Sequence, residues 1–131
     1  MPFVHARIIS TDEDPQLVDR LQAELARLAV APLGKAADVT SVLVERMKAG
    51  SWRIGGSAAT SAAHITISVT AGTNTAGEKA AFVAHTYAML REVLGEALSE
   101  VTYVVVNEVD ADSWGYGGLM AAERRRASTP A

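Results

Sequence analysis

The phrase "SWRIGG" at Ser51–Gly56 returns as "SWGYGG" at Ser113–Gly118, and both of the chain's tryptophans lie inside it. The interval is 62 residues (114 − 52), and the same shift superposes other landmarks. Val39 falls on Val101, Val42 on Val104, Val44 on Val106, and Gly55–Gly56 on Gly117–Gly118, while Pro2 falls on His64. A chain of 131 residues therefore divides into repeat one (2–60), repeat two (64–122) and a short C-terminal tail (123–131), with no inserted linker. A solenoid needs roughly three or more units to bury its faces. Two copies predict one fused, pseudo-symmetric domain instead.

Both copies share a grammar. Copy one opens on "PFVHARII" and copy two on "HITISVT", where Ile65, Ile67 and Val69 alternate with Thr66, Ser68 and Thr70. Period two marks a strand with one buried face. A polar segment follows in each, then a helical pattern. In copy one, Asp14 and Pro15 suit a helix start, Leu17, Leu21, Leu25 and Leu28 form a stripe, and Pro32 and Gly34 stop it. In copy two the stripe is read as Val83, Tyr87, Leu90 and Leu94, ended by Gly95. Each helix runs into a β-branched segment, "VTSVLVE" or "VTYVVVNE", and then into the glycine-rich phrase. Strand, helix, strand over so short a span is a βαβ unit with parallel strands. The fold class is thus α+β: a tandem βαβ repeat giving a four-stranded mixed sheet with both helices on one face. The opposite face keeps many apolar residues that this chain does not cover, which predicts self-association.

Charge narrows the partners. With a net charge of −3, a nucleic-acid footprint is not expected. The basic run Arg124–Arg126 reads as part of a solvated tail. There is no cysteine, no signal-peptide pattern and no apolar stretch long enough to span a bilayer, so a cytoplasmic protein without membrane partners is expected. His5, His64 and His85 lack metal-ligand spacing, and "DAD" at Asp110–Asp112 reads as a turn, so no metal and no cofactor is expected. "GSWRIGGS" fails as a phosphate loop, because Gly56 stands where a lysine is needed.

The Met-Pro opening "MPFV", the segments "VERMKAGSWRIGG" and "VNEVDADSWGYGG", the βαβ grammar and the duplication together resemble the tautomerase superfamily. The resemblance, over about residues 2–120, is to the fused, double-length 4-oxalocrotonate tautomerase group. It implies a tautomerase-like fold, a homotrimer packed through its sheets, and catalysis by an N-terminal proline. It also implies that the glycine-rich phrase is a hairpin whose aromatic walls an active site, the place held here by Trp52 and Trp114. Relatives that isomerise dicarboxylates carry arginines at two slots; here those slots hold Asp12 and Ser41 in copy one, Asn74 and Tyr103 in copy two. The carboxylate clamp is therefore absent from its usual places, with Arg7, Arg46 and Arg53 the nearest substitutes.

Pro2 is the catalytic candidate. If Met1 is removed, its nitrogen becomes a secondary amine with a pKa near that of an α-amino group, about 8. Burial and a nearby cation would lower that value and free the base at neutral pH. His64, its counterpart, sits mid-chain without a free amine, so one active site per chain is expected. Tyr103, Trp114, Trp52 and Asn74 are the candidate substrate-binding residues, with Tyr103 a hydrogen-bond donor to a carbonyl oxygen. The expected activity is tautomerisation of a small 2-oxo acid or its enol. The alternatives are hydration or dehalogenation of small unsaturated acids on the same scaffold, or a non-catalytic trimeric binding protein.

Overall fold

The computed structural model describes residues 2–128. Strand β1 (Phe3–Ile9) alternates as the sequence demands: Val4, Ala6 and Ile8 are buried, while Phe3 and Arg7 face away from the core. Helix α1 (Leu17–Val30) returns the chain, a 3₁₀ turn (Ala37–Val39) follows, and β2 (Ser41–Arg46) pairs parallel with β1, Phe3 opposite Ser41. A two-residue-strand hairpin, β3 (Arg53–Ile54) and β4 (Ser57–Ala58), closes the first copy. Copy two repeats the plan with β5 (Ala62–Thr70), α2 (Ala76–Leu94), β6 (Tyr103–Val109) and the hairpin β7 (Gly115–Tyr116) and β8 (Leu119–Met120). The sheet order is β2-β1-β5-β6. Its two central strands run antiparallel, with Arg7 opposite His64 and Phe3 opposite Ser68.

One core joins the copies. The inner faces of β1 and β5 meet Leu17, Leu21, Leu25 and Leu28 of α1 and Phe82, Met89, Leu90 and Val93 of α2. Both helices therefore cover the same sheet face. The α1 stripe is the one expected, but the helix begins three residues after Asp14. That carboxylate instead accepts the Gln16 N–H at 2.9 Å, shaping the turn that precedes α1. Helix α2 departs further from expectation. Its buried stripe is Phe82, Thr86, Met89, Leu90 and Val93, and Val83 is 39% exposed. The helix is rotated by about one residue relative to the stripe read from sequence, because burying Phe82 removes more apolar area than burying Val83. Its start is fixed by a capping box in which Thr75 and Glu78 exchange side-chain and backbone bonds at 3.1 and 2.8 Å. These bonds, the Thr75 N–H foremost, hold the Glu78 carboxyl below its ordinary value.

The uncovered sheet face is mixed rather than broadly apolar. Phe3, Leu43, Tyr103 and Val105 are exposed there, but His5, Arg7, Glu45, Thr66 and Ser68 lie between them. At both hairpin tips two consecutive glycines take positive φ: 59° and 84° at Gly55–Gly56, 62° and 80° at Gly117–Gly118. That is the twist a two-residue hairpin turn needs, and glycine adopts it at both positions without steric cost. The repeated "GG" is thus a turn requirement.

The C-terminal segment corrects a second expectation. Residues Ala121–Ser128 form helix α3, ordered where a tail was expected, although Arg125 and Arg126 are exposed to solvent as expected. Arg124 lies over the Tyr116 ring, 3.8 Å from its centroid, and donates to the Tyr116 carbonyl at 3.1 Å. The stacked guanidinium pins α3 to the second hairpin. Met1 and residues 129–131 of the tail lie outside the described residues.

Candidate active site

Pro2 stands at the head of β1, next to the sheet's edge strand, and its carbonyl accepts the Ser41 N–H at 3.2 Å. This bond carries the β1–β2 ladder up to the proline. Pro2 is buried. It opens on a cavity of about 530 Å³ whose other walls include Asp38, Ser41, Ser68, Trp114 and Tyr116. Repeat one supplies the proline and Phe3, and the hairpin of repeat two supplies Trp114 and Tyr116.

Trp114 is held by two bonds. Its carbonyl accepts from Ala121 at 2.9 Å, and its indole N–H donates to Thr70 Oγ1 at 3.1 Å. With that donor engaged, the indole offers the cavity its apolar surface rather than a hydrogen bond. Gly115 adds close quarters: a Cβ placed there would sit 1.9 Å from the Leu119 carbonyl oxygen, so the hairpin backbone itself forms the wall. Ser41 and Ser68 bring neutral hydroxyls to the lining, the Ser68 Oγ also accepting from the Asn107 amide at 3.2 Å. Among the described residues, neither arginine nor lysine lines this cavity, and Asp38 does. Burial thus remains as the influence that would lower the proline's basicity, while the expected cation is missing from the lining and a carboxylate is present.

The other candidates lie elsewhere. Trp52 and Tyr103 line a second cavity, of about 580 Å³, together with Arg7, Arg53 and His64. It is the counterpart of the first under the 62-residue shift: His64 replaces Pro2, Tyr103 replaces Ser41, and Trp52 replaces Trp114. Asn74 lines neither cavity. Its amide donates to the Leu33 carbonyl at 2.9 Å and reaches Glu78 Oε1 at 3.4 Å, tying the start of α2 to the segment after α1. Of the three substitute arginines, Arg46 is turned onto the Asp12 carbonyl, and Arg7 and Arg53 serve the second cavity.

Sequence reasoning missed Asp38, Ser68 and Tyr116. Ser68 is legible only once the antiparallel register sets it opposite Phe3. Tyr116 was available as the second aromatic of "SWGYGG". Asp38 sits in a 3₁₀ turn that carries no motif.

Residues 64–124 match the Tautomerase family, described as tautomerase enzyme. No curated protein matches the chain. Solved structures agree along nearly its full length. A wild-type fused 4-OT forming an asymmetric trimer has a TM-score of 0.80 at 21% identity, covering 95% of this chain and 99% of that one. Pt0534, solved after inactivation by 2-oxo-3-pentynoate, has a TM-score of 0.75 at 17% identity, covering 92% and 98%. A member of the cis-3-chloroacrylic acid dehalogenase family has a TM-score of 0.74 at 20% identity, covering 98% and 92%. The second repeat thus matches the tautomerase family, and over nearly its whole length the chain takes the fold of the fused 4-OT proteins.

Proposed function

We propose that this chain is a tautomerase of small 2-oxo acids or their enols, with Pro2, freed by removal of Met1, as the general base. The observation that carries the reading is the position of Pro2, buried at the strand head yet opening on the cavity walled by Trp114. The prolyl nitrogen takes the enol hydroxyl proton as the oxygen closes to a carbonyl. The electron pair of the C=C bond then collects a proton at C3 from the prolyl ammonium, and the base is regenerated. Ser41 and Ser68 offer hydrogen bonds to the carboxylate or the developing oxyanion, and Trp114 and Tyr116 flank an apolar substituent. Without a guanidinium in the lining, a substrate with one carboxylate suits this cavity better than one with two.

A specific observation favours a second reading. Asp38, an exposed carboxylate on the cavity lining, favours the ammonium form of the prolyl nitrogen, and a carboxylate can activate water. The pair would then hydrate a small unsaturated acid, the ammonium giving a proton to one alkene carbon while water adds to the other. The pH–rate profile separates the two: base catalysis rises through the amine's titration and acid catalysis falls.

Assembly follows the fold. The exposed Phe3, Leu43, Tyr103 and Val105 on the open sheet face support a homotrimer with one prolyl site per chain, hence three per assembly. Light scattering at micromolar concentration should give three chain masses; a stable folded monomer contradicts this.

The test of the site is chemical. 2-Oxo-3-pentynoate is an electrophilic ynone, and a free secondary amine adds to its alkyne carbon without a leaving group. Intact mass and peptide mapping should show one whole-reagent adduct per chain, on the N-terminal peptide of a chain lacking Met1. Labelling on His64, or none at Pro2 in a processed chain, counts against the assignment. A retained Met1 leaves Pro2 an amide and returns the non-catalytic binding protein.

A further inference from the structure

The second cavity keeps the walls of the first without its proline, and its charge is reversed. Arg7, Arg53 and His64 line it, and among the described residues no aspartate or glutamate does, in a chain whose net charge is −3. The Pro2 cavity has the opposite make-up, with Asp38 and no basic side chain. The guanidiniums are only partly committed. Arg7 Nε lies 3.8 Å from Glu45 Oε1, an oxygen that His5 Nε2 already holds closely. Arg53 donates to the neutral Gly56 carbonyl at 2.9 Å and has no ion pair among the described residues. Each guanidinium has five N–H donors, so most remain free for an anion.

The apolar walls are in place as well. Trp52 faces this cavity from its hairpin, and Tyr103 lies beside His64 with ring centroids 6.2 Å apart. Trp52 also differs from its twin in one respect. The residue matching Thr70 is Ile8, which offers no oxygen, and the Trp52 indole N–H has no hydrogen-bond partner among the described residues. A donor that is locked in the first cavity is thus uncommitted beside the second. The hairpin backbone keeps the two sites distinct: the position that holds Arg53 in copy one is Gly115 in copy two, where no side chain fits without a rearrangement.

We propose that the second cavity is a binding site for small aromatic or alkenyl monocarboxylates, in which Arg7 and Arg53 take the carboxylate and Trp52 and Tyr103 sandwich the planar group. No covalent step occurs there, since its strand head offers an imidazole and no amine. The inference does not depend on Pro2 being catalytic.

The two tryptophans make it testable. In Trp114→Phe, Trp52 is the sole indole and reports the second cavity; in Trp52→Phe, Trp114 reports the first. Phenylacetate, which does not absorb at the tryptophan excitation edge, is the probe, and 2-phenylethanol is its neutral counterpart. Phenylacetate should change Trp52 emission saturably, with at least tenfold weaker binding for 2-phenylethanol. In the Trp114→Phe background, Arg7→Gln with Arg53→Gln should weaken phenylacetate at least tenfold while the circular dichroism spectrum is unchanged. Because both arginines are surface-reaching, Arg53→Lys provides a second variant that keeps the charge but loses the fork, and intermediate binding is expected. Equal binding of acid and alcohol, indifference to the arginine changes, or a response of Trp114 alone would overturn the proposal.

Discussion

Thr70→Val removes the oxygen that receives the Trp114 indole N–H at 3.1 Å and leaves the side-chain shape nearly unchanged. Thr70 is 7% exposed, so water cannot easily replace that oxygen from the threonine side. A donor orphaned in a fully buried place costs about 1–3 kcal/mol. The indole is only half-buried and can turn partly toward solvent, which puts the loss near the lower bound, about 1 kcal/mol. For a domain of this size that corresponds to a fall in Tm of about 3–5 °C. If the loss is felt as undocking of the β7–β8 hairpin, the docked fraction, and with it kcat/KM, falls by up to about fivefold. The assay uses the Trp52→Phe background, where Trp114 emission should shift to the red and acrylamide quenching should rise. Thr70→Ser, which keeps the hydroxyl, should restore most of both. Unchanged emission and kinetics in Thr70→Val would refute the view that this bond seats the wall of the Pro2 cavity.

The rotated face of α2 predicts an unequal pair: Phe82→Ala should cost about 3–5 kcal/mol in chemical denaturation, and Val83→Ala well under about 1 kcal/mol. Equal losses would restore the stripe read from sequence. The Glu108 carboxylate, held by Lys79 at 2.8 Å, has its pKa lowered by that hydrogen bond first and by the lysine's charge. A depressed folded value means stability present above the ordinary value of 4.5 and lost as pH falls through the folded one. Glu108→Gln should therefore lower Tm modestly at pH 7, approach wild type in acid, and so flatten the decline of Tm with falling pH below that point; an unaltered acid limb would count against it.

What the sequence discloses here follows from how cleanly each signal is written. The α1 stripe is legible because Leu17, Leu21, Leu25 and Leu28 stand against charged neighbours such as Asp19, Arg20 and Glu24. Helix α2 is not, because Phe82, Val83, Tyr87, Met89, Leu90, Val93 and Leu94 spread around it, and its true stripe includes a buried polar residue, Thr86. Periodicity cannot choose among several apolar arcs; packing volume does. The pairing of Pro2 with the second tryptophan rather than the first needs the sheet order, since only antiparallel central strands bring the β7–β8 hairpin to the head of β1. Asn74 holds a substrate-binding slot of the family pattern, whereas the local phrase Thr75-x-x-Glu78 marks a helix start beside it. Arg124 hid inside a run that composition alone assigns to solvent, and only the aromatic of the neighbouring hairpin gives it a place.

The central claim is that Pro2 transfers the proton, and the rate of ketonisation of phenylenolpyruvate by wild type and Pro2→Ala, each confirmed by intact mass to lack Met1, tests it most directly. A positioned acid–base group is worth about 10²–10⁴-fold, so kcat/KM should fall by that factor, although alanine also presents an amine, because that amine is primary and less rigidly held. Wild type should show no strong preference for a dicarboxylate enol over this monocarboxylate. Equal rates for the two proteins would remove Pro2 from the mechanism.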